Sequence, residues 1–189
     1  DWGKVGDIAW QRVYPEYGVC PWSHSTRTDA LNSGTGLPDT STCSTGTATV
    51  RRRGNYIHIS GTVAFPNGEN VYLGYLNNAW TGQFGPYEVE MGYIEGAGGL
   101  IAHISNGPGG RPTAELGGIN MYLNTLIGAT PAEFAYSTWT VGHEWGHPQG
   151  LIDRYTNLGP DAGYENEIMG VDRGTPNGST IDSLLSNCK

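Results

Sequence analysis

The chain lacks any run of about 18 apolar residues, the length that a membrane-spanning helix needs, so nothing in it reads as a membrane span. Positive charge is scarce. Lys+Arg 10 against Asp+Glu 18 leaves a formal net charge of -8, which argues against a nucleic-acid partner, whose phosphates need a basic face. The one basic cluster, Arg51-Arg52-Arg53, reads as a solvated strand entry. Cysteine is also scarce: Cys20, Cys43 and Cys188 are odd in number and do not form a paired-cysteine zinc motif. One disulfide plus a free thiol is the simplest oxidised arrangement, and three pairings are open. No charged-then-apolar leader is visible after Asp1, which reads as the start of a mature product or of a cut fragment. No internal repeat appears.

Glycine is abundant. Its 30 residues in 189 are roughly twice the usual share of about 7%, and predict many turns and short strands. The length fits one domain with a single substantial core. Residues 1–54 read as a loop-rich N-terminal subregion of that domain, tied down by Cys20 or Cys43, and residues 55–189 as its core.

Within the core the patterning is sharper. "NYIHISGTVAF" from Asn55 is a β-rich stretch, with Gly61 marking a bulge. "ENVYLGYLNNAWTGQF" places Val71, Tyr75, Leu76, Ala79 and Trp80 on one helical face. "YEVEMGYI" alternates Tyr87, Val89, Met91 and Tyr93 with Glu88, Glu90 and Gly92, the pattern of a half-buried strand. "GLIAHI" suits a central strand, "SNGPGGRPTAELGG" a long loop, and "INMYL" a further strand with Ile119, Met121 and Leu123 on one side. Thr130, Pro131 and Glu133 then give the cap, first residue and capping box of a helix running to about His147. A last helix, "STIDSLLSNC", has Ser179 as cap and Ile181, Leu184, Leu185 and Cys188 as its stripe. The layout is α+β with one mixed sheet, a helix packed on it, a long helix carrying the motif below, and a C-terminal helix.

That motif is "VGHEWGHPQGLIDRY", residues 141–155. His143 and His147 are four apart and so face the same way on a helix, presenting two imidazole nitrogens to one ion. Zinc takes such nitrogens and, at a catalytic site, three protein ligands plus water. Glu144, one step round the helix, reaches the water rather than the ion, where a general base belongs. Gly150 supplies the left-handed turn that ends the helix and brings Asp153 back as the third ligand. Pro148 biases His147 out of the helix, which threatens the frame of the second ligand. Glu167, after Asn166, and Asp161 are rival third ligands. The Gly and Pro content of "IMGVDRGTPNG" argues against the second helix that a Glu167 ligand needs, and Asp153 is preferred. His58 sits between Ile57 and Ile59 and reads as the opposite face of a strand. His103 reads as a satisfied core histidine.

The string His143-Glu144-x-x-His147-x-x-Gly150-x-x-Asp153 resembles that of the metzincin zinc endopeptidases. The aspartate at its end is similar to the snapalysin branch. The resemblance covers about residues 55–189, and "NEIMG" supplies Met169 for the methionine turn beneath the metal that the family carries. "GLIDRYTNLGPDAGYENEIMG" also resembles, more loosely, metallopeptidase modules of bacterial RHS-type toxins. The resemblance implies a metzincin-like fold and one catalytic Zn2+ on His143, His147 and Asp153. It further implies Glu144 as base, Gly150 and Met169 as structural support, and a protein or peptide substrate. It points to a secreted or extracellular monomer of bacterial or fungal origin. Many metzincins place a tyrosine two residues after the turn methionine, where this chain has Val171. Tyr155 and Tyr164 are the phenols that offer a substitute, though both read more readily as packing or loop residues. The residues before the helix, "GINMYL", are expected to form the exposed edge of a cleft, to which an extended peptide adds a strand. Tyr136 and Trp139 read as packing below His143. The alternative function is a zinc-stabilised toxin or binding module with a narrow target and no general proteolysis; an intact Glu144 favours the enzyme. A calcium-binding module finds no spaced carboxylate loop in the chain, and calcium stays unassigned.

Overall fold

Nine residues of β-branched, aromatic and small side chains, Tyr56–Ala64, form the strand around which the sheet is built. The computed structural model describes residues 41–66, 72–104, 111–123 and 131–189, all of them in one compact unit, Pro38–Lys189. In chain order the elements are β1 (Ser41–Thr45), β2 (Ala48–Arg53), β3 (Tyr56–Ala64), α1 (Tyr72–Ala79), β4 (Gly82–Phe84), β5 (Tyr87–Glu95) and β6 (Leu100–Ile104). There follow β7 (Thr113–Ala114), β8 (Asn120–Leu123), α2 (Pro131–Gly146), β9 (Tyr155–Thr156), β10 (Gly159–Pro160) and α3 (Gly178–Ser186).

The fold is α+β with one mixed eight-stranded sheet, and β9 and β10 make a separate two-stranded ribbon. Strand β3 pairs antiparallel with β2, parallel with β5 along Tyr56–Val63, and parallel with β6 at Val63 and Ala64. Beyond β6 lie β8, in parallel, and β7, antiparallel to β8. Strand β8 is therefore flanked on both sides, and the edge next to it is the two-residue β7. That corrects the expectation that "GINMYL" is the exposed edge, and the reason is local: the loop at 111–119 folds back and pairs Thr113 with Tyr122 and Ala114 with Met121.

Strand alternation carries through to burial. In β5, Tyr87, Val89, Met91 and Tyr93 are buried, while Glu88 is exposed and Glu90 and Gly92 are half-buried. In β3, Ile57 and Ile59 are buried and His58 is half-buried, so the histidine lies on the other face as expected. His103 is half-buried rather than in the core; its ring stacks on Tyr122 at 4.8 Å and its Nε2 hydrogen-bonds Asn120 Oδ1 at 3.1 Å. Helix α1 buries Tyr72, Tyr75, Leu76 and Ala79, and Trp80 just beyond it is fully buried. The Trp80 indole donates to the Gly142 carbonyl at 3.1 Å and its ring meets Trp145 edge-on at 4.8 Å. Each such aromatic, taken wholly from water, contributes on the order of 3 kcal/mol. The second half of α2 is fixed by this contact.

The N-terminal reading needs adjusting. Residues 41–53, read as loop-rich, form β1 and β2 and belong to the same sheet as β3. Arg51 is exposed, and Arg52 and Arg53 are half-buried at the end of β2. The Arg52 guanidinium donates to the Gly54 carbonyl at 2.9 Å and sits 5.6 Å over the Tyr87 ring. Cys43 is joined to Cys188 in a disulfide. Beside it, Ser44 and Lys189 exchange two backbone hydrogen bonds, of 3.1 and 2.9 Å, so the C-terminus is laid along β1. Helix α3 is capped by Asn177 rather than Ser179: the Asn177 side chain accepts from the Thr180 N–H and the Thr180 hydroxyl returns a bond to the cap. Cys20, Val71, the Thr130 cap and residues 1–40 lie outside the described residues.

Candidate metal centre

Helix α2 ends at Gly146, one residue short of the second histidine, as a proline at 148 predicts for the residue before it. The frame of His147 survives because the termination is ordered. Gly150 N–H donates to the His147 carbonyl at 2.8 Å and Leu151 N–H to the Gly146 carbonyl at 3.0 Å, the bond pair of a Schellman motif with Gly150 as its left-handed residue. Gly150 has φ 86, a value that costs other residues about 1–2 kcal/mol. The clamp is reinforced from far along the chain. The Thr45 hydroxyl (2.9 Å) and the Asn187 amide (3.1 Å) both donate to the Gln149 carbonyl, and the buried Gln149 side chain accepts from Thr47 N–H at 3.1 Å.

The turn delivers Asp153 to the two histidines. Asp153 Oδ1 lies 3.2 Å from His143 Nε2 and 3.5 Å from His147 Nε2. One ligand atom from each of the three residues lies within 4.8 Å of the others, and among the described residues they form the one such group. The two rings are perpendicular, with centroids 5.0 Å apart. Each ring is held from behind. His143 Nδ1 is 2.9 Å from the Ile168 carbonyl and His147 Nδ1 is 2.9 Å from the Leu151 carbonyl. A carbonyl only accepts, so both Nδ1 atoms carry hydrogen and both Nε2 atoms turn toward Asp153. Backbone carbonyls behind the second ring nitrogen are the usual way that ligand imidazoles are oriented.

The floor of the site is the turn at 167–170. Met169 packs against Gly146 so closely that a Cβ there would lie 2.8 Å from its sulfur. The Ile168 carbonyl accepts from the Trp139 indole at 3.1 Å as well as from His143, and the Trp139 ring lies 5.3 Å from that of His143. Trp139 is thus a support of the first histidine. Glu167 is buried and committed elsewhere: it accepts from Met169 N–H at 2.7 Å and from the Thr180 hydroxyl, bracing the turn against α3. Asp161 is exposed, and its backbone N–H bonds the Arg154 carbonyl at 2.7 Å. Neither rival joins the group of three.

Electrostatics separate the members. Burial pushes the Glu144 carboxyl up to about 7, with the His143 charge working against the rise, and its Oε2 is buried with no hydrogen-bond partner among the described residues. His143 is raised: burial opposes its cation, but the bonds to Asp153 and to the Ile168 carbonyl outweigh it. His147 is lowered by burial and by the neighbouring His143 charge. Asp153 is lowered, chiefly by the hydrogen bond from His143. Burial raises Tyr155, with the negative charge of Asp153 adding to it. The Tyr155 ring lies 6.3 Å from that of His143. Arg111 completes the surroundings; its charge lowers Glu144, Asp153 and Tyr155 alike.

Sequence reasoning did not single out Arg111, which sits in a segment read only as a long loop, and it weighed Tyr155 as packing. The sequence signal for Tyr155 was its place two residues after Asp153. For Arg111, and for the carbonyls of Leu151 and Ile168, there is none, because a backbone atom carries no residue identity.

No family model matches the chain, and no curated protein does. Among solved structures, an archaemetzincin from Methanopyrus kandleri is similar over 72% of this chain and 97% of its own, at 15% identity and a TM-score of 0.42. Myroilysin is similar over 50% of this chain and 42% of its own, at 17% identity and a TM-score of 0.35. At such scores and identities the likeness adds no weight, and the reading of the site rests on its own residues.

Proposed function

We propose that the chain is a zinc-dependent endopeptidase, with His143, His147 and Asp153 as metal ligands and Glu144 as general base. The observation that carries this reading is the convergence of three ligand atoms within 4.8 Å beside a buried carboxylate whose Oε2 has no partner among the described residues. Two nitrogens and one oxygen suit zinc at a catalytic site, where the fourth position stays open. Asp153 is itself 44% exposed, so the cluster is reached from solvent. When bound, the ion would acidify a water and polarise the scissile carbonyl.

The rest is the work of the chain's own groups. Glu144, one step round the helix from His143, with a buried Oε2 that has no hydrogen-bond partner among the described residues, is the group to take a proton from the attacking water and pass it to the departing amine. Val171 offers no phenol, and Tyr155 takes that part: its hydroxyl is assigned as the donor to the substrate's carbonyl oxygen as negative charge develops there. Arg111 adds a positive charge near Glu144, Asp153 and Tyr155. Ile168 and Leu151 keep both imidazoles from turning. The Cys43–Cys188 disulfide supports a secreted or extracellular setting, since such bonds persist in oxidising compartments. No helix of the described residues is long and apolar enough to cross a membrane.

The test is digestion of an unfolded protein by the zinc-loaded chain beside Glu144→Ala at equal metal content. Cleavage by the parent alone is the expected result. No cleavage by either, with zinc held by both, overturns the endopeptidase reading in favour of a metal-stabilised module with a narrow target.

A further inference from the structure

Among the described residues, the exposed large apolar side chains are Ile94, Leu116, Ile119, Ile152, Tyr155 and Leu158, from 41% for Tyr155 to 99% for Leu158. Scattered singly, such residues are ordinary. Here all but Ile94 fall on two short segments that meet at the candidate metal centre. The first is the turn at 115–119. Its Gly117 N–H donates to the carbonyl of His147 at 2.8 Å, so Leu116 and Ile119 flank a backbone atom bonded to a proposed ligand. The second segment carries Asp153 itself: Ile152 precedes it, and Leu158 stands at the tip of the ribbon in which Tyr155 pairs with Pro160 and Thr156 with Gly159. An apolar rim assembled from two separate segments around the same reactive groups marks a contact surface.

Three occupants are open to such a rim: a lipid surface, a second copy of the chain, or a polypeptide. The net charge of -8 opposes an anionic membrane, and the two segments offer no basic surplus to offset it, since Arg111 and Arg154 stand among Glu115, Asp153 and Asp161. A second copy gives the central Glu144 nothing to act on. A polypeptide passing the cluster has alternate side chains pointing to opposite sides, which suits a rim with apolar residues on two separate segments.

We infer that the rim of Leu116, Ile119, Ile152 and Leu158 binds an extended polypeptide segment carrying large apolar side chains on both sides of the bond presented to Glu144. This rests on the peptidase reading and names its substrate class. Folded proteins bury such segments, so the substrates are unfolded chains or exposed apolar stretches rather than polar loops of native proteins.

The test uses the full chain as Glu144→Gln, which binds without turnover, and short fluorescein-labelled peptides. One carries leucine and phenylalanine about its centre; the other carries serine and threonine at the same positions. Fluorescence anisotropy should show the apolar peptide binding about tenfold more tightly, the worth of one partly buried large side chain. Adding Leu116→Ser or Leu158→Ser should weaken the apolar peptide severalfold and leave the polar one and the zinc content unchanged. Equal binding of both peptides overturns the inference. So does a dimer, or binding to phosphatidylcholine vesicles, that the two serine variants abolish while the peptide preference stays. Cleavage assays on the parent separate the two readings. If it digests unfolded protein yet the peptides bind equally, the rim inference falls and the peptidase stands. If it digests nothing yet the apolar preference holds, the peptidase reading falls and the rim stands as a peptide site.

Discussion

The floor and the rim of the candidate metal centre are built on opposite principles. Beneath the candidate ligands, Glu167, Ile168 and Met169 are buried, and the turn they form is tied by named bonds: the Ile168 carbonyl accepts from His143 and Trp139, and the Glu167 carboxylate accepts from Met169 N–H and the Thr180 hydroxyl. Around the ligands, β7, β9 and β10 are two residues each and the apolar side chains face water. The difference teaches where precision is needed. Ligand nitrogens must be held to a fraction of an ångström, which only a packed and satisfied surround achieves. A surface that receives varied chains gains from short elements with few internal constraints.

The comparison breaks most severely if the ligand set itself is opened. Asp153→Ala should lower zinc affinity by more than about 100-fold, beyond the 10–100-fold that loss of an outer support costs, as read by competition with a chromophoric chelator. Its side chain is 44% exposed, so the fold should survive. Unchanged affinity would remove Asp153 from the ligand set.

A second, smaller break is aimed at the floor. Glu167→Ala leaves the Met169 N–H without its buried acceptor, at a cost of about 1–3 kcal/mol, while the Thr180 hydroxyl turns to Asn177 Oδ1, 3.2 Å away. Urea unfolding should show a loss of about 2 kcal/mol. Zinc affinity should also fall, by less than for Asp153→Ala, because Ile168 next to it orients His143. A loss under about 1 kcal/mol would mean that water satisfies the Met169 N–H and that the turn is not braced as described.

How much of this could be read from residues alone follows from the same contrast. The strand at 87–95 and the helix at 72–79 were legible because periodicity of side chains records which face is buried, but the helical reading ran on through "TGQF", where Gly82–Phe84 instead form β4 against β5. The spacing from His143 to Asp153 was legible because one helix turn and one glycine turn fix it locally. The β1–β2 hairpin was not, since "STCSTGTATV" is small and polar and its place in the sheet depends on β3 and on the distant Cys188. Nor was the covering of β8 by β7, a pairing of two residues set by a fold-back in the loop before it. The Asn177 cap was missed for a nearer reason: Ser179 is also a good cap, and only the Thr180 hydroxyl, returning a bond to Asn177, decides between them. Contacts that join distant segments through backbone atoms leave no trace in local pattern.

The smallest expected effect sharpens the contrast most. Leu158 is 99% exposed on a ribbon held by pairings at Thr156–Gly159 and Tyr155–Pro160. Leu158→Ser removes no buried area and no hydrogen bond: the Leu158 backbone N–H, which donates to the Thr156 hydroxyl at 3.2 Å, is kept by any residue but proline. Unfolding free energy in urea should therefore change by no more than about 0.5 kcal/mol, the range of surface substitutions that touch nothing structural. Set beside the loss from Glu167→Ala, that near-zero value would show that the rim contributes little to holding the fold together. A loss of 1 kcal/mol or more would mean instead that Leu158 packs against the rest of the chain in solution, and the division between floor and rim would not hold at this position.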